Sequence, residues 1–227
     1  TYNDWYEGTI DAWEAAGIYP IFANGNASNC AYSYPPGLNT VGNPARGYNV
    51  TGVGSSGHSN GLYANHSNWG PTDSLDTLNP MGYANLKPQV VAPGVSIRSS
   101  LGSGDSSYAY YTGTSMSAPH VAGLITLMWQ AGNCLVGDYV QTETILQETA
   151  VAIPYDTGNG DEGPGFVPNH ATGWGEIDAQ QAVISALNYC GDTTLDGTVT
   201  AAGTGSPISG ALVEATAQGD PINDRFT

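Results

Sequence analysis

The sequence predicts an α/β fold: a parallel sheet flanked by helices, followed by the start of an all-β sandwich module. Three observations carry that expectation. A helical apolar pattern over 5–16 passes through Gly17 straight into an apolar run at 18–23, the order found in parallel α/β sheets. Residues 114–131 place Val121, Ala122, Leu124, Ile125, Leu127 and Met128 all round a helix, which predicts burial on every side. From Asp196 the apolar period changes to that of a hairpin.

In the first helix, Trp5, Ile10, Trp13 and Ala16 fall at near-helical spacing, and Gly17 supplies the stop. Residues 18–23 then read as a buried strand. Residues 24–47 hold Asn-Gly-Asn, Pro35-Pro36 and Gly42-Asn43-Pro44 and read as loop. Residues 48–53 alternate like a strand, and 54–86 are polar and turn-rich. Strands at 89–92 and 95–101 are split by Pro93-Gly94. Pro119 lies in the first turns of the long helix, where a missing N–H is tolerated. Asp138 with Gln141, and Asp178 with Gln181, have capping-box spacing and open helices to 149 and 189. An acidic Gly/Pro-rich loop at 154–172 lies between them. The expected domains are 1–190, a linker at 191–195, and an all-β domain at 196–227 of which one hairpin is present.

Charged residues make up 11% of the 227, against about 25% in an ordinary domain. That excludes a coiled coil and a charge-driven disordered tail. Twenty acidic residues face four basic ones, Arg46, Lys87, Arg98 and Arg225, for a net charge of −16. Such a chain has no electrostatic footprint for nucleic acid or an anionic membrane surface. With 31 Gly and 14 Pro, about a fifth of the chain is turn-forming, against an average near 12%. Five Trp and fourteen Tyr among them argue for a loop-rich globular protein rather than disorder. No apolar run approaches the roughly 18 residues of a membrane span. No basic segment followed by an apolar stretch opens the chain. The ends at Thr1 and Thr227 read as cuts in a longer protein. Low Lys with high Gly, Ser, Thr, Asn and Tyr leans towards an extracellular or cell-envelope setting. Cys30, Cys134 and Cys190 allow at most one internal pair and match no zinc spacing.

The chemistry concentrates in Gly113-Thr114-Ser115-Met116-Ser117-Ala118-Pro119-His120, at the mouth of the long helix. A hydroxyl there sits where unpaired N–H groups and the positive dipole end favour negative charge. The N–H of the same serine can donate to an oxyanion. Gly113 lets the backbone approach a substrate closely. The plain alternative is that Ser115 merely caps the helix.

All eight residues match the nucleophile signature of the subtilisin-like serine proteases, the subtilases, which the chain resembles over about 1–188. Ala23-Asn24-Gly25-Asn26 is similar to the family's strand end carrying the oxyanion-hole asparagine. Asn68-Trp69-Gly70-Pro71, Lys87-Pro88-Gln89-Val90-Val91-Ala92-Pro93-Gly94-Val95 and Gly173-Trp174-Gly175-Glu176-Ile177-Asp178-Ala179 follow the family's order. Asn3-Asp4-Trp5-Tyr6 and Ala15-Ala16-Gly17-Ile18 resemble its bacillopeptidase F branch. The resemblance implies a partial subtilisin-like sheet and a serine endopeptidase acting on proteins or peptides by acyl transfer. It implies Ser115 as nucleophile and Asn26 as oxyanion donor, with Thr114 in support. Ala23, Asn24 and Gly25 would line one wall of the substrate pocket, facing Gly113. No cofactor is implied for the chemistry.

The same resemblance implies a catalytic Asp and a His in a His-Gly-Thr motif. His58, His66, His120 and His170 do not fit that motif and follow Asn26 in chain order. The expectation is that both partners lie outside these 227 residues and that the chain alone is inactive. A non-catalytic binding or spacer module on the same scaffold is the alternative. Residues 196–217 resemble the carboxypeptidase-regulatory-like β-sandwich. Asp156, Asp161 and Glu162 read as a solvated acidic loop, with a structural calcium ion as the lesser reading. Tyr32, Tyr34, Tyr108, Tyr110 and Tyr111 either rim a peptide cleft or pack.

Overall fold

Helix Glu7–Ala15 (α1) ends as expected, with Gly17 at φ 78° and the Ile18 N–H donating to Trp13 O at 2.9 Å. Trp13 stacks on Phe22 with ring centroids 5.9 Å apart. In the computed structural model, the described residues are 6–27, 35–47, 49–57, 62–72, 82–83, 85–160 and 162–191. Trp5 and the motif residues before it lie outside them.

Three strands form a parallel sheet in the order β1 (Ile21–Ala23), β2 (Thr51–Ser56), β3 (Val90–Pro93). Ile21 pairs with Thr51, and Val53 with Val90. Two expectations change here. The first strand is only half-buried, because β1 is the sheet edge. The second begins three residues later than its alternation implied and runs through Gly54-Ser55-Ser56. All six β2 residues are buried, because this strand is central. Its small residues fit between neighbours on both sides rather than marking a turn.

Helix Thr114–Ala131 (α2) lies against all three strands. Val53, Val90 and Ala92 form one core with Val121, Leu124, Ile125 and Met128 of α2. Helices Tyr139–Thr149 (α3) and Ala179–Gly191 (α4) add Ile145, Leu146, Ala182 and Ala186. Burying each large side chain contributes about 1.5–3 kcal/mol. The expectation that α2 is buried all round is not met. Pro119, Ala122, Gly123, Thr126, Leu127 and Gln130 are exposed. The sheet covers one face and α4 another, and no described residue covers the third. Both expected caps form, from the Gln141 N–H to Asp138 Oδ1 and from the Gln181 N–H to Asp178 Oδ1, each at 3.0 Å.

Two of the family-like segments extend the sheet. Lys87 and Gln89 are fully buried, and both donate to Val50 O, at 2.7 and 2.9 Å. The Gly173-x-Gly175 stretch runs beside β3, with the Val91 N–H donating to Gly175 O and the Ile177 N–H to Val91 O. The strand expected at 95–101 follows β3 as the first half of a hairpin whose second strand the sequence did not indicate. Strands Ile97–Ser100 (β4) and Tyr108–Tyr111 (β5) pair antiparallel, Arg98 opposite Tyr110 and Ser100 opposite Tyr108.

Cys134 and Cys190 form a disulfide with Cα atoms 5.7 Å apart, joining the turn after α2 to the end of α4. Cys30 lies outside the described residues. So do 192–227, which hold most of the expected linker and the expected β-sandwich hairpin. Within the body that ends at Asp192, Gly191 belongs to α4 rather than to a linker.

Candidate active site

The site forms at the carboxyl ends of β1 and β3, the edge at which open α/β sheets bind ligands. From β1 the chain turns through Asn24-Gly25-Asn26. From β3 it turns at Gly94, whose carbonyl accepts the Gly113 N–H at 2.8 Å. A Cβ at Gly94 would collide with Ser55 Oγ and Ser117 Oγ and lie 2.8 Å from Gly113 O. That close approach seats the start of α2 on the sheet.

Gly113 is the N-cap of α2, at φ 155°, and no side chain caps the helix. Ser115 is the second helical residue and is exposed. The reading of Ser115 as a mere cap therefore fails. Its N–H lies in the first turn, where no intrahelical acceptor exists. It finds no protein acceptor among the described residues. An anion beside it would meet that donor and the positive end of an 18-residue helix.

Asn26 stands opposite. Its Oδ1 accepts the Thr114 N–H at 3.0 Å and the Thr114 hydroxyl at 3.3 Å. The Thr114 hydroxyl oxygen in turn accepts the Gly25 N–H at 3.3 Å. With Oδ1 committed to Thr114, which is fully buried, the Nδ2 donors turn away from it. The amide lies alongside Gly113, 3.5 Å from where a Cβ would stand. Ser115, Asn26, Gly113, Thr114 and Gly25 are thus brought together. Ala23 ends β1, and Asn24 is fully buried. Its side chain points into the protein, so only its backbone can wall a pocket.

Asn68 was quoted at the sequence level only as part of a motif. The structure places it behind this turn. Its N–H donates to Gly25 O at 3.0 Å, and its carbonyl accepts Asn24 Nδ2 at 2.8 Å. A Cβ on Gly25, at φ 99°, would lie 2.7 Å from Asn68 Nδ2. The Gly42 N–H donates to Asn24 O at 3.0 Å and brings a second loop against the same turn. No local pattern marks either contact, since each partner lies some 18–44 residues away.

Ser115 Oγ forms no hydrogen bond with a described side chain. His120 Nδ1 bonds Met116 O at 2.8 Å within α2. His170 is buried, and its N–H donates to Glu162 Oε1 at 3.2 Å. His66 is half-buried, its carbonyl accepts the Ala27 N–H, and burial holds its imidazole below the usual pKa. His58 lies outside the described residues. Tyr63, pushed up by burial, accepts from Trp69 Nε1 at 2.6 Å and packs with Trp69 and Tyr155 behind the Asn68 segment. In the acidic loop, Glu162 accepts from the Thr157 hydroxyl at 2.6 Å, and Asp156 from the Gly158 N–H at 2.8 Å. Those carboxylates hold their own loop. Among the described residues no three His, Cys, Asp or Glu side chains gather to hold a metal.

Comparison with known proteins bears on this geometry. The model of the subtilase family matches residues 1–175. Bacillopeptidase F of Bacillus subtilis is 32% identical over 189 residues, covering 83% of this chain and 12% of that protein. An extracellular protease of Xanthomonas campestris is 32% identical over 188 residues, covering 80% and 26%. A solved protease of Pseudoalteromonas arctica superposes with a TM-score of 0.58 at 28% identity, covering 82% of this chain and 48% of that one. The chain thus spans about an eighth to a quarter of these curated relatives.

Proposed function

Since this chain belongs to the subtilase family, we propose that it carries the nucleophile and oxyanion-hole part of a secreted serine endopeptidase. Ser115 Oγ attacks the carbonyl carbon of a peptide bond. The carbonyl oxygen becomes an oxyanion, held by Asn26 Nδ2 and the Ser115 N–H. The base that takes the Ser115 proton returns it to the nitrogen as collapse expels the amine, leaving an acyl-enzyme that water then hydrolyses. The observation that carries this reading is the Asn26 amide, fixed by Thr114 beside an uncapped, exposed Ser115.

A serine hydroxyl needs an oriented base. None of the described histidines reaches Ser115 by a hydrogen bond, so the base and its carboxylate partner come from outside these residues. Backbone at Ala23, Asn24, Gly25 and Gly113 lines the substrate pocket. Substrates are proteins or peptides. The site of action is extracellular or at the cell envelope, in keeping with the extracellular protease among the relatives.

Labelling with a fluorescent fluorophosphonate tests the proposal on residues 1–227 and on a form that also carries the expected Asp and His. The expected result is labelling of that form that vanishes in Ser115→Ala, beside a silent 1–227. No labelling of that form when folded would sink it. The absence of a described base would then favour a non-catalytic binding module on the same scaffold.

A further inference from the structure

We propose that the face of the β4–β5 hairpin bearing Arg98, Tyr108 and Tyr110 is a docking site for Asp or Glu side chains of an extended polypeptide. Arg98 and Tyr110 are opposite each other, as are Ser100 and Tyr108, so all four share one face of the two-stranded sheet. Arg98 is exposed, with its Cζ 4.0 Å from the Tyr108 ring centroid. A guanidinium held over a ring keeps its edge N–H groups available as donors. Those donors have no hydrogen bond or ion pair among the described residues. Asp105, at the turn of the hairpin, does not pair with them.

The charge distribution makes this position distinctive. The chain carries twenty acidic residues against four basic ones. Of the other basic residues that are described, Lys87 is fully buried and Arg46 half-buried. Arg98 is thus the one exposed cation among the described residues, on a body that otherwise repels anions. A planar fork with free donors takes a carboxylate through two parallel hydrogen bonds. Tyr108 and Tyr110, 51% and 65% exposed, add rigid rings and hydroxyl groups for an extended chain to lie on. The face is also fixed to the site. The Gly113 N–H to Gly94 O bond closes the base of the hairpin, and the Ser96 N–H donates to Thr112 Oγ1 at 2.9 Å. Resting on the endopeptidase reading, the hairpin then favours substrates with an acidic residue near the bond that Ser115 attacks.

The test is a titration of the ¹⁵N-labelled 227-residue chain followed by NMR. One peptide is a doubly blocked tetrapeptide, Ac-Ala-Glu-Glu-Ala-NH2. The second replaces both Glu by Gln, and the third is that Gln peptide with a free C-terminus. The expected result is shifts of the Arg98 Nε–H and the 108–110 amides with the Glu peptide. Affinity should fall about fivefold for the Gln peptide and in Arg98→Gln, and fall with added salt. Arg98→Lys, which keeps the charge and loses the fork, should be intermediate. Equal shifts with the Gln peptide, shifts only with the free C-terminus, or shifts unchanged in Arg98→Gln would overturn the proposal. The readout needs no turnover, so a failure of the endopeptidase reading leaves it intact, and the reverse.

Discussion

Asn26 concentrates the residue-scale argument. Its carbonyl oxygen is tied to Thr114, which leaves its nitrogen for the oxyanion of the proposed reaction. On that proposal, Asn26→Ala in a form of the protein that carries the expected Asp and His should lower kcat by about 10²–10³ with KM little changed. Steady-state kinetics on a peptide ester checks this; an equal rise in KM would mean ground-state binding instead. Asn68 holds the same turn through its backbone, whose N–H donates to Gly25 O and whose carbonyl accepts Asn24 Nδ2. Asn24→Ala removes the second of these bonds and should cost up to about 10²-fold in kcat, again at near-constant KM, by letting the turn shift. His66 makes a prediction about pH. Burial lowers its folded pKa, so the unfolded chain binds more protons below the ordinary histidine value near 6.5. Stability should therefore fall as pH drops from about 7 to 5. Urea midpoints at the two pH values should converge in His66→Gln, and an unchanged gap would remove His66 as the cause. That Thr114 and Asn26 meet beside the exposed Ser115 was legible because each lies in a short motif. Asn68 and Gly42 were not, because their role exists only once distant loops meet.

Among the elements, α2 and β2 show why local patterns succeed and fail. The bounds of α2 were legible from its unbroken helical pattern, and the Asp138 and Asp178 caps from their spacing. The outer face of α2 was misread, because an apolar residue such as Leu127 says what could be covered, not what covers it. β2 was placed three residues early because Gly54-Ser55-Ser56 looks like a turn when its neighbours are unseen. The strand at 95–101 was legible as β4, but its partner β5 was not, because its exposed tyrosines carry no buried face to set a period of two. Gly94 is the close packing point between the end of β3 and the start of α2. Gly94→Ala should cost about 1–3 kcal/mol by overpacking, and should lower any fluorophosphonate labelling of Ser115 as Gly113 moves. Thermal melts beside the labelling would separate the two effects. Wild-type values for both would show that Ser55 and Ser117 can give way.

At the scale of the whole molecule, the Cys134–Cys190 bond closes a loop with a sequence separation of 56. The loop-entropy relation gives about 4 kcal/mol of stabilisation for that length. Replacing both cysteines by serine should lower the urea-unfolding free energy by about that amount. A loss under about 1 kcal/mol would mean that α3 and α4 already hold the loop together. The bond also bears on how the body would carry a mechanical load. A pull on the two ends of the chain passes from Cys190 directly to Cys134, bypassing α3, the acidic loop and α4. Those residues stay slack under tension, which shortens the fully stretched contour by roughly 200 Å at about 3.6 Å per residue. Any appendage that tethers this protein to a surface would therefore tug on the far end of the helix whose first turn holds Ser115.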